Sequence, residues 1–176
     1  MRIIVIGTSG SGKSTLAAEL ARVLHLPRTE LDALYWGPGW TQNPAEQFLA
    51  DVQVAAKGER WVIDGNYSAA RDVLWPRATH IVWLNYSRPR VFTQVLRRTL
   101  QRAWSGAPLW AGNRESLRMA FLSKDSILLW SLKTFDKNRR RYGALRSSGA
   151  YAQARWVELR HPTQARAWLA QIAANA

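Results

Sequence analysis

Residues 2–15 read R-I-I-V-I-G-T-S-G-S-G-K-S-T. The apolar run from Ile3 to Ile6 predicts a buried strand, and the segment that follows has the G-x-x-x-x-G-K-S spacing of a phosphate-binding P-loop. Because the pattern fixes two glycines, one lysine and one hydroxyl residue, it seldom arises by chance in a chain of this length. The alternative is an incidental glycine- and serine-rich turn. The segment therefore predicts binding of a nucleoside triphosphate.

The residue types in this loop indicate how it would hold a triphosphate. Glycines let the backbone bend so that successive N–H groups point at phosphate oxygens, and the N-terminus of the next helix favours the same anion. Lys13 is predicted to place its charge between the β- and γ-phosphates, and the Ser14 hydroxyl to bind Mg²⁺. Thr15 is predicted to start the helix or to contact the α-phosphate. The predicted nucleotide-binding residues are Gly7, Thr8, Ser9, Gly10, Ser11, Gly12, Lys13, Ser14 and Thr15.

Length and composition restrict the class of protein. With 176 residues, 47% of them apolar, the chain can build one core and has little room for a second, so we expect one domain over residues 1–176. No stretch approaches the ~20 apolar residues of a membrane-spanning helix, and a strand is predicted where a cleavable signal peptide would lie. The absence of cysteine excludes disulfides and thiolate metal sites. We expect a soluble cytoplasmic protein.

The net charge of +13 is concentrated in one third of the chain. Residues 88–146 contain eleven arginines and three lysines against three acidic residues. Arginine matches a pair of phosphate oxygens, which suits phosphoryl transfer, and a basic segment containing tryptophans also suits a nucleic-acid backbone. Any single arginine here can instead belong to a solvated basic face. The sequence leaves these alternatives open.

Hydrophobic periodicity and turn residues predict alternating strands and helices. The segment 105–114, which has two glycines and a proline, is predicted to be a loop or a mobile insert. Alternation of this kind predicts an α/β fold, a five-stranded parallel sheet covered by helices on both faces in a three-layer α/β/α sandwich. Strands are predicted at 2–6, 28–31, 61–63, 80–84 and 154–159, and helices at 12–24, 44–57, 89–104, 126–141 and 163–174.

Two aspartates follow predicted strands, at the sheet edge where ligands of parallel α/β proteins gather. Asp64 ends an apolar strand, where a carboxylate can reach Mg²⁺, usually through water. Its alternative role is to cap the following Asp-Gly turn. Asp32 is predicted to orient a substrate hydroxyl or accept its proton, and its alternative role is to cap a short helical turn.

Seven of the ten tryptophans have predicted positions. Trp36 and Trp40 flank a Gly-Pro-Gly turn, where they can stack on a planar acceptor or pack against the core, and we expect packing for at least one. The three histidines are too scattered along the chain to indicate a metal site. The remaining predictions are core positions in strands for Trp61, Trp83 and Trp156, and packed positions on helices for Trp130 and Trp168.

Several segments resemble the bacterial topology modulation protein family, which is grouped with adenylate-kinase-like and shikimate-kinase-like P-loop kinases. The P-loop at 7–14, L-D-A-L-Y-W-G-P-G-W at 31–40 and V-I-D-G-N-Y at 62–67 carry the resemblance. It continues through V-L-R-R-T-L-Q-R at 95–102 and V-E-L-R-H-P-T-Q-A-R-A-W-L at 157–169, and so covers nearly the whole chain.

The resemblance implies a nucleoside-monophosphate-kinase-like fold that uses ATP and Mg²⁺ and has two mobile attachments. The acceptor would bind a segment at about 32–57, and an Arg-rich helical lid at about 98–118 would close on ATP. Lid arginines in such kinases offset charge on the transferred group. The lid candidates are Arg98, Arg102 and Arg114, with Arg139 to Arg141 on the helix that returns from the lid.

The resemblance also implies contacts for the acceptor and the base. Arg71 resembles the phosphate-contacting arginine that follows the Asp-Gly-Phe-Pro segment of adenylate kinases, although here N-Y-S-A-A intervenes. Adenine would lie against the turn at 160–162, beside Arg160. The acceptor would be held near Asp32, Tyr35, Trp36 and Arg71.

Three functions remain compatible with the sequence. The first is a small-molecule kinase that transfers the γ-phosphoryl group of ATP to a nucleotide-like or hydroxyl acceptor. The second is a nucleic-acid-associated ATPase that influences DNA topology through the basic segment 88–146. The third is a nucleotide-binding regulator with negligible turnover.

Overall fold

The computed structural model describes residues 1–115 and 126–174. Within these residues, five parallel strands form one sheet in the order β2-β3-β1-β4-β5. Every predicted strand is found within one residue of its expected ends, so the predicted α/β fold with a parallel sheet is confirmed. The strands are β1 (Arg2–Gly7), β2 (Arg28–Glu30), β3 (Trp61–Asp64), β4 (His80–Leu84) and β5 (Arg155–Leu159).

Helices and short helical turns connect the strands. The periodicity does not predict α2 or α4, because helices of five and seven residues are too short to show a repeating apolar face. Short 3₁₀ turns occur at Pro38–Trp40, Trp75–Arg77 and Trp110–Gly112. The helices are α1 (Lys13–Leu24), α2 (Leu31–Tyr35), α3 (Ala45–Ala55), α4 (Ser68–Leu74), α5 (Arg88–Ser105), α6 (Ile127–Ser147) and α7 (Pro162–Ala174).

Helix α6 extends beyond the end at residue 141 that the sequence predicts. Phe135 and Tyr142 are both buried, and their seven-residue spacing continues one apolar stripe past the basic run of residues 139–141. The charged side chains of that run do not stop the helix, because they can point to solvent while the stripe stays packed.

The sheet is covered on both faces, which explains why its central strand is apolar throughout. Ile4 and Ile6 pack in the cluster that includes α3 and α4. Ile3 and Val5 pack in the second cluster, with α1 and α7. The predicted three-layer arrangement is confirmed.

The tryptophans follow the predictions with one exception. Trp61 and Trp83 are buried, while Trp156 and Trp168 are partly buried against the core clusters. The predicted packing of Trp130 is wrong, because this side chain is 60% exposed. Helix α6 buries Leu128, Ser131 and Phe135, and Trp130 lies outside that stripe.

The strand order places the candidate site. β1 lies between β3 and β4, so the chain moves to opposite sides of β1 as it builds the sheet. Ligands of open α/β sheets bind beyond the carboxyl ends of strands where the order reverses in this way. The loop after β1 lies at this position.

Candidate phosphate- and acceptor-binding site

The P-loop connects β1 to α1 and rests against α5. Gly10 has a φ of 87°, in the left-handed region that favours glycine. A Cβ atom at Gly10 would lie 2.6 Å from the Val95 Cβ of α5. Glycine is therefore needed here both for the backbone conformation and for the packing against α5.

Polar groups in the P-loop fit a bound phosphate. The Ser11 Oγ is buried and has no hydrogen-bond partner in the described part of the chain. The Lys13 ammonium is enclosed by protein, although part of its side chain remains exposed, and it donates one long hydrogen bond of 3.4 Å to the Thr8 carbonyl. Burial lowers the pKa of Lys13, and the carboxylates of Asp32 and Asp64 partly offset this. Buried donors with incomplete hydrogen bonding suit an anionic ligand.

The remaining loop hydroxyls differ in exposure, since Thr8 is buried and Thr15 is exposed.

Ser14 and Asp64 form a pair at the start of α1 and the end of β3. The Ser14 Oγ donates to the Asp64 Oδ2 at 2.7 Å, and only 4% of Asp64 is exposed. Burial raises the pKa of Asp64, and the hydrogen bond from Ser14 opposes this. These contacts, rather than a cap on the following turn, occupy the Asp64 carboxylate.

The same pair fits Mg²⁺ chemically. Hydroxyl and carboxylate oxygens are the hard ligands that this ion takes, usually together with phosphate oxygens and waters. Among residues 1–115 and 126–174, no group of three or more His, Asp or Glu side chains forms a metal site by itself. Ser14 and Asp64 would hold the ion together with a bound triphosphate.

Two residues that the sequence analysis missed hold the P-loop backbone. The Asn66 side chain accepts from the Gly7 N–H at 3.3 Å and donates to the Gly7 carbonyl at 2.5 Å. The Ser131 Oγ of α6 donates to the Ser9 carbonyl at 2.9 Å. Asn66 has a sequence signal, since it follows Asp64-Gly65 after a strand. For Ser131 the signal is weak, a buried hydroxyl in the apolar stripe of a helix.

Asp32 lies in α2, within electrostatic range of Lys13 in the P-loop. Its Oδ1 accepts from the Tyr67 hydroxyl at 2.6 Å, and burial together with Asp32 raises the pKa of Tyr67, which keeps that hydroxyl a donor. Burial lowers the pKa of both Lys13 and Arg98, and the Asp32 carboxylate is close enough to each to oppose part of that lowering. The alternative role of helix cap is wrong, because Glu30 occupies the N-cap position and Asp32 lies inside α2.

A row of aromatic rings lies in the predicted acceptor segment and extends to Trp110. Tyr35, Trp36, Trp40 and Trp110 contact one another in sequence, edge to face, with ring centroids 4.9, 5.7 and 6.4 Å apart. Tyr35 also contacts Tyr67 at 4.5 Å. Trp36 and Trp40 therefore pack against neighbouring rings while both remain partly exposed.

The segment Trp110 to Asn113 is docked on the turn at 37–40. The Asn113 side chain, 6% exposed, donates to the Gly37 carbonyl at 2.9 Å and accepts from the Trp40 N–H at 3.0 Å. Trp110 donates from its indole nitrogen to Glu30 at 3.1 Å. This part of the predicted loop is thus held by specific hydrogen bonds. Asn113 is not predicted from the sequence, because nothing in the sequence around it signals the contact.

The three candidate lid arginines have different surroundings. Arg98 lies near Lys13 and Asp32, its Nε is buried without a partner among the described residues, and burial lowers its pKa. Arg102 pairs with Glu115 at 3.0 Å and lies 6.0 Å from the Trp110 ring. Arg114 is exposed. Residues 116–118 of the predicted lid lie outside the described residues.

The other predicted contact residues interact with neighbouring side chains. The Arg71 guanidinium stacks 5.9 Å from the Trp75 ring and lines a small cavity that Tyr67 and Arg141 also line. Arg160 is exposed and pairs with Glu158 at 2.8 Å. Of the predicted residues, the structure brings together Lys13, Ser14, Asp32, Asp64 and Arg98.

The charged segment 88–146 is only partly described. In the described part, Trp104 of α5 is 94% exposed and Arg88 pairs with Asp136 at 2.5 Å. No helix among the described residues combines the length and the apolar character needed to cross a membrane.

Comparisons with known proteins identify the fold. A gluconokinase from Sinorhizobium meliloti 1021 superposes with a TM-score of 0.52 at 21% identity, over 99% of this chain and 94% of that chain. A shikimate kinase from Aquifex aeolicus vf5 superposes with a TM-score of 0.50 at 17% identity, over 99% of this chain and 98% of that chain. No family model matches the sequence, and no curated protein matches it either. At these identities the likeness concerns the fold, and the chain has the α/β fold of P-loop kinases.

Proposed function

We propose that this protein is a small-molecule kinase that transfers the γ-phosphoryl group of ATP to a nucleotide-like or hydroxyl acceptor. One observation carries the proposal: the Asp32 carboxylate, held by Tyr67, lies within electrostatic range of Lys13 in the P-loop and of Arg98 in α5. An acceptor oxygen bound at Asp32 would be next to the end of a triphosphate held by the loop. The kinase fold of the two superposed proteins supports the same conclusion.

The residues would share the reaction as follows. The P-loop backbone and Lys13 bind the triphosphate, and Arg98 offsets charge on the transferred group. Asp32 orients the acceptor hydroxyl and accepts its proton as the oxygen–phosphorus bond forms and the bond from the γ-phosphorus to the bridging oxygen of ADP breaks. Ser14 and Asp64 would hold Mg²⁺, which supplies neutralisation of phosphate charge when bound.

The acceptor site is proposed to lie in the segment 32–57, with Tyr35 and Trp36 along its wall and Arg71 at a greater distance. The lid is proposed at about 98–118, and the docked segment 110–113 supports contact between the two parts. Phosphate roles for Arg102 and Arg114, and a base contact at Arg160, stay predictions. A charge-assisted role for Arg102 would require its pairing with Glu115 to open.

We also propose membership of the topology modulation protein family, on the segments 31–40 and 62–67. The side chains that these segments contribute, Asp32 and Asp64, both face the P-loop, which supports a shared role in one site. A cytoplasmic location stays a prediction.

The nucleic-acid-associated ATPase receives no support from the superposed kinases. Its basic segment can be tested separately, because binding to a phosphate backbone weakens steeply with salt. Substituting several arginines in 97–118 should abolish such binding if it occurs. Absence of DNA affinity at moderate salt, together with acceptor-stimulated turnover, would remove this alternative.

A screen of ATP consumption tests the kinase proposal. Purified protein with MgATP is offered nucleoside monophosphates, nucleosides and small hydroxylated metabolites, and ADP release is measured. We expect at least one acceptor to accelerate ADP release, and its phosphorylated product to appear in equal amount. ATP consumption that no acceptor accelerates would contradict the kinase proposal and favour a regulator.

A further inference from the structure

Two charged side chains of β2 lie on one face of the sheet beside the Ser14–Asp64 pair. Arg28 and Glu30 are two residues apart in β2, so both project from the same face. The register pairs Glu30 with Asp64 of the neighbouring strand. The Arg28 guanidinium therefore has two carboxylates within reach: it forms an ion pair with Glu30, and its Nη2 lies 3.5 Å from the Asp64 Oδ1.

Glu30 is fixed from two sides. Its Oε1 accepts from Arg28, and its Oε2 accepts from the Trp110 indole N–H at 3.1 Å. About a quarter of the side chain is exposed for both Arg28 and Glu30. Because surrounding protein replaces much of the water, these charged contacts are stronger than they would be on an open surface.

An arginine beside a metal-binding carboxylate competes with the metal. Guanidinium groups bind carboxylates through two parallel hydrogen bonds, and a carboxylate engaged in this way has fewer lone pairs for an ion. If Glu30 lost its charge, Asp64 would be the remaining carboxylate within reach of Arg28 in the described structure. The side chain that Mg²⁺ requires would then be shared with Arg28.

We propose that Glu30 is a positioning residue that holds Arg28 more closely than Asp64 does, restricts the Arg28–Asp64 contact to one long hydrogen bond of 3.5 Å, and so leaves the Asp64 carboxylate available to Mg²⁺. Trp110 fixes Glu30 in this position. The inference rests on the proposed function, because it takes Ser14 and Asp64 as the place where Mg²⁺ binds with ATP. Arg28 in turn offsets the repulsion between two carboxylates on adjacent strands.

The contact from Trp110 ties the acceptor side to the phosphate side. Trp110 belongs to the segment that Asn113 docks on Gly37 and Trp40. Undocking of this segment removes the donor to Glu30, and the position of Arg28 then becomes less restricted. Availability of Asp64 is in this way coupled to docking of the segment 110–113.

Calorimetric binding of adenylyl imidodiphosphate, an ATP analogue that resists transfer, measures the effect. Affinity is determined in EDTA and again in excess Mg²⁺, and the gain in affinity due to Mg²⁺ is compared among variants. Binding of Mg²⁺ to the free analogue is the same for all variants. Differences in the affinity gain among variants therefore arise from the protein. For Glu30→Gln we expect the gain to fall at least about tenfold, as for other residues that orient metal ligands, while affinity in EDTA stays at the wild-type value.

A double variant separates positioning from mere stabilisation. If Arg28 is the competitor, Arg28→Met in the Glu30→Gln background should restore the Mg²⁺ gain to within about threefold of wild type, since no cation then remains beside Asp64. A double variant as impaired as Glu30→Gln alone would overturn the proposal. Trp110→Phe, which keeps an aromatic ring but removes the N–H donor, should reduce the gain by about threefold.

Glu59→Gln is the matched control. Glu59 also pairs with two arginines, Arg2 and Arg77, but it is 80% exposed and its partner Arg2 starts β1 at the opposite end from the P-loop. We expect a wild-type Mg²⁺ gain. An unchanged gain in Glu30→Gln refutes the inference and leaves the kinase proposal standing, whereas a wild-type protein without any Mg²⁺ gain refutes both.

Discussion

The phosphate-binding loop takes its residues from eight consecutive positions, 7–14, whereas the proposed acceptor side, formed by residues 32–40 and 110–113, joins residues as far apart as Gly37 and Asn113. On the phosphate side, one short motif brings its own backbone geometry and needs neighbours mainly to hold it, such as Asn66 and Ser131. On the acceptor side, Asp32 and Asn113 depend on partners 35 and 76 residues away. A substitution in the P-loop should therefore alter nucleotide binding and phosphoryl transfer directly. A substitution on the proposed acceptor side should act by displacing the side chains that hold the acceptor.

The largest effect is expected for Lys13→Ala. Removal of the ammonium takes away the positive charge that the loop offers to the triphosphate, so we expect turnover to fall about 1000-fold. Steady-state ADP release measures this, with circular dichroism as the control for folding. Turnover close to wild type would show that the P-loop is not the active centre.

Asp32→Asn tests the acceptor side with a minimal change of shape. The amide can still accept from Tyr67, but it cannot take a proton, so we expect acceptor-dependent turnover to fall about 100-fold. Affinity for MgATP should stay near the wild-type value, because the P-loop is unchanged. Equal losses in ATP binding and in turnover would mean that Asp32 serves the nucleotide rather than the acceptor.

Arg98→Gln and Arg114→Gln form a matched pair within the predicted lid. Arg98 lies beside Lys13 and Asp32, and its loss should reduce turnover roughly tenfold to 100-fold. Arg114 is exposed, and we expect its variant to stay within about threefold of wild type. Turnover of the two variants is measured under the same conditions. A larger loss in Arg114→Gln than in Arg98→Gln would mean that the predicted lid closes further when substrates bind.

Asn113→Ala should have a smaller effect that appears mainly in the KM for the acceptor. The variant loses two hydrogen bonds to the turn that holds Trp40, and a buried pair of this kind contributes about 1–3 kcal/mol. We expect KM to rise about tenfold, with kcat less affected. Gln47→Ala, in the same predicted acceptor segment but exposed and paired with Asp51, is the control. An unchanged KM would show that the docked segment does not shape the acceptor site.

The smallest expected effect is a change in the pH dependence of the free energy of unfolding in the variant Lys13→Met. Burial lowers the pKa of Lys13 below its ordinary value of 10.5. The folded state therefore releases this proton at a lower pH than the unfolded state does. As a result, the free energy of unfolding of the wild-type protein increases as pH rises from the folded-state pKa of Lys13 toward 10.5. At pH 7 we expect the nucleotide-free variant to be more stable than wild type in urea unfolding, by a margin that shrinks at pH 10.5. A margin independent of pH would contradict burial of the Lys13 charge as its cause.

Parts of the site are predictable from the sequence for physical reasons. Ser14 follows β1 and Asp64 ends β3. We expect both to bind one metal ion, because the carboxyl ends of parallel strands lie at the same edge of the sheet. Their hydrogen bond is present in the structure. By contrast, the predicted packing of Trp130 is wrong, because a tryptophan on a helix fits either face until the neighbouring helices define the buried stripe.

The residues of the acceptor side are harder to predict, since side chains with no local pattern take their roles from distant segments. Asn113 lies in a stretch without periodicity, and its two hydrogen bonds are to backbone groups of the turn at 37–40. Tyr67 follows a predicted turn, and its contact with Asp32 depends on how α2 and the end of β3 approach each other. The spacing of residues along the sequence does not predict roles of this kind.

The sequence by itself determined the P-loop, the alternation of strands and helices and the parallel sheet, because each of these follows from local residue types and short-range periodicity. Which predicted lid arginine comes within electrostatic range of Lys13, how Asn113 reaches the turn at 37–40, and that Arg28 contacts two carboxylates were set by the packing of the folded chain. Those features arise where segments far apart in the chain pack together, and the charges and hydrogen bonds they share exist only after folding.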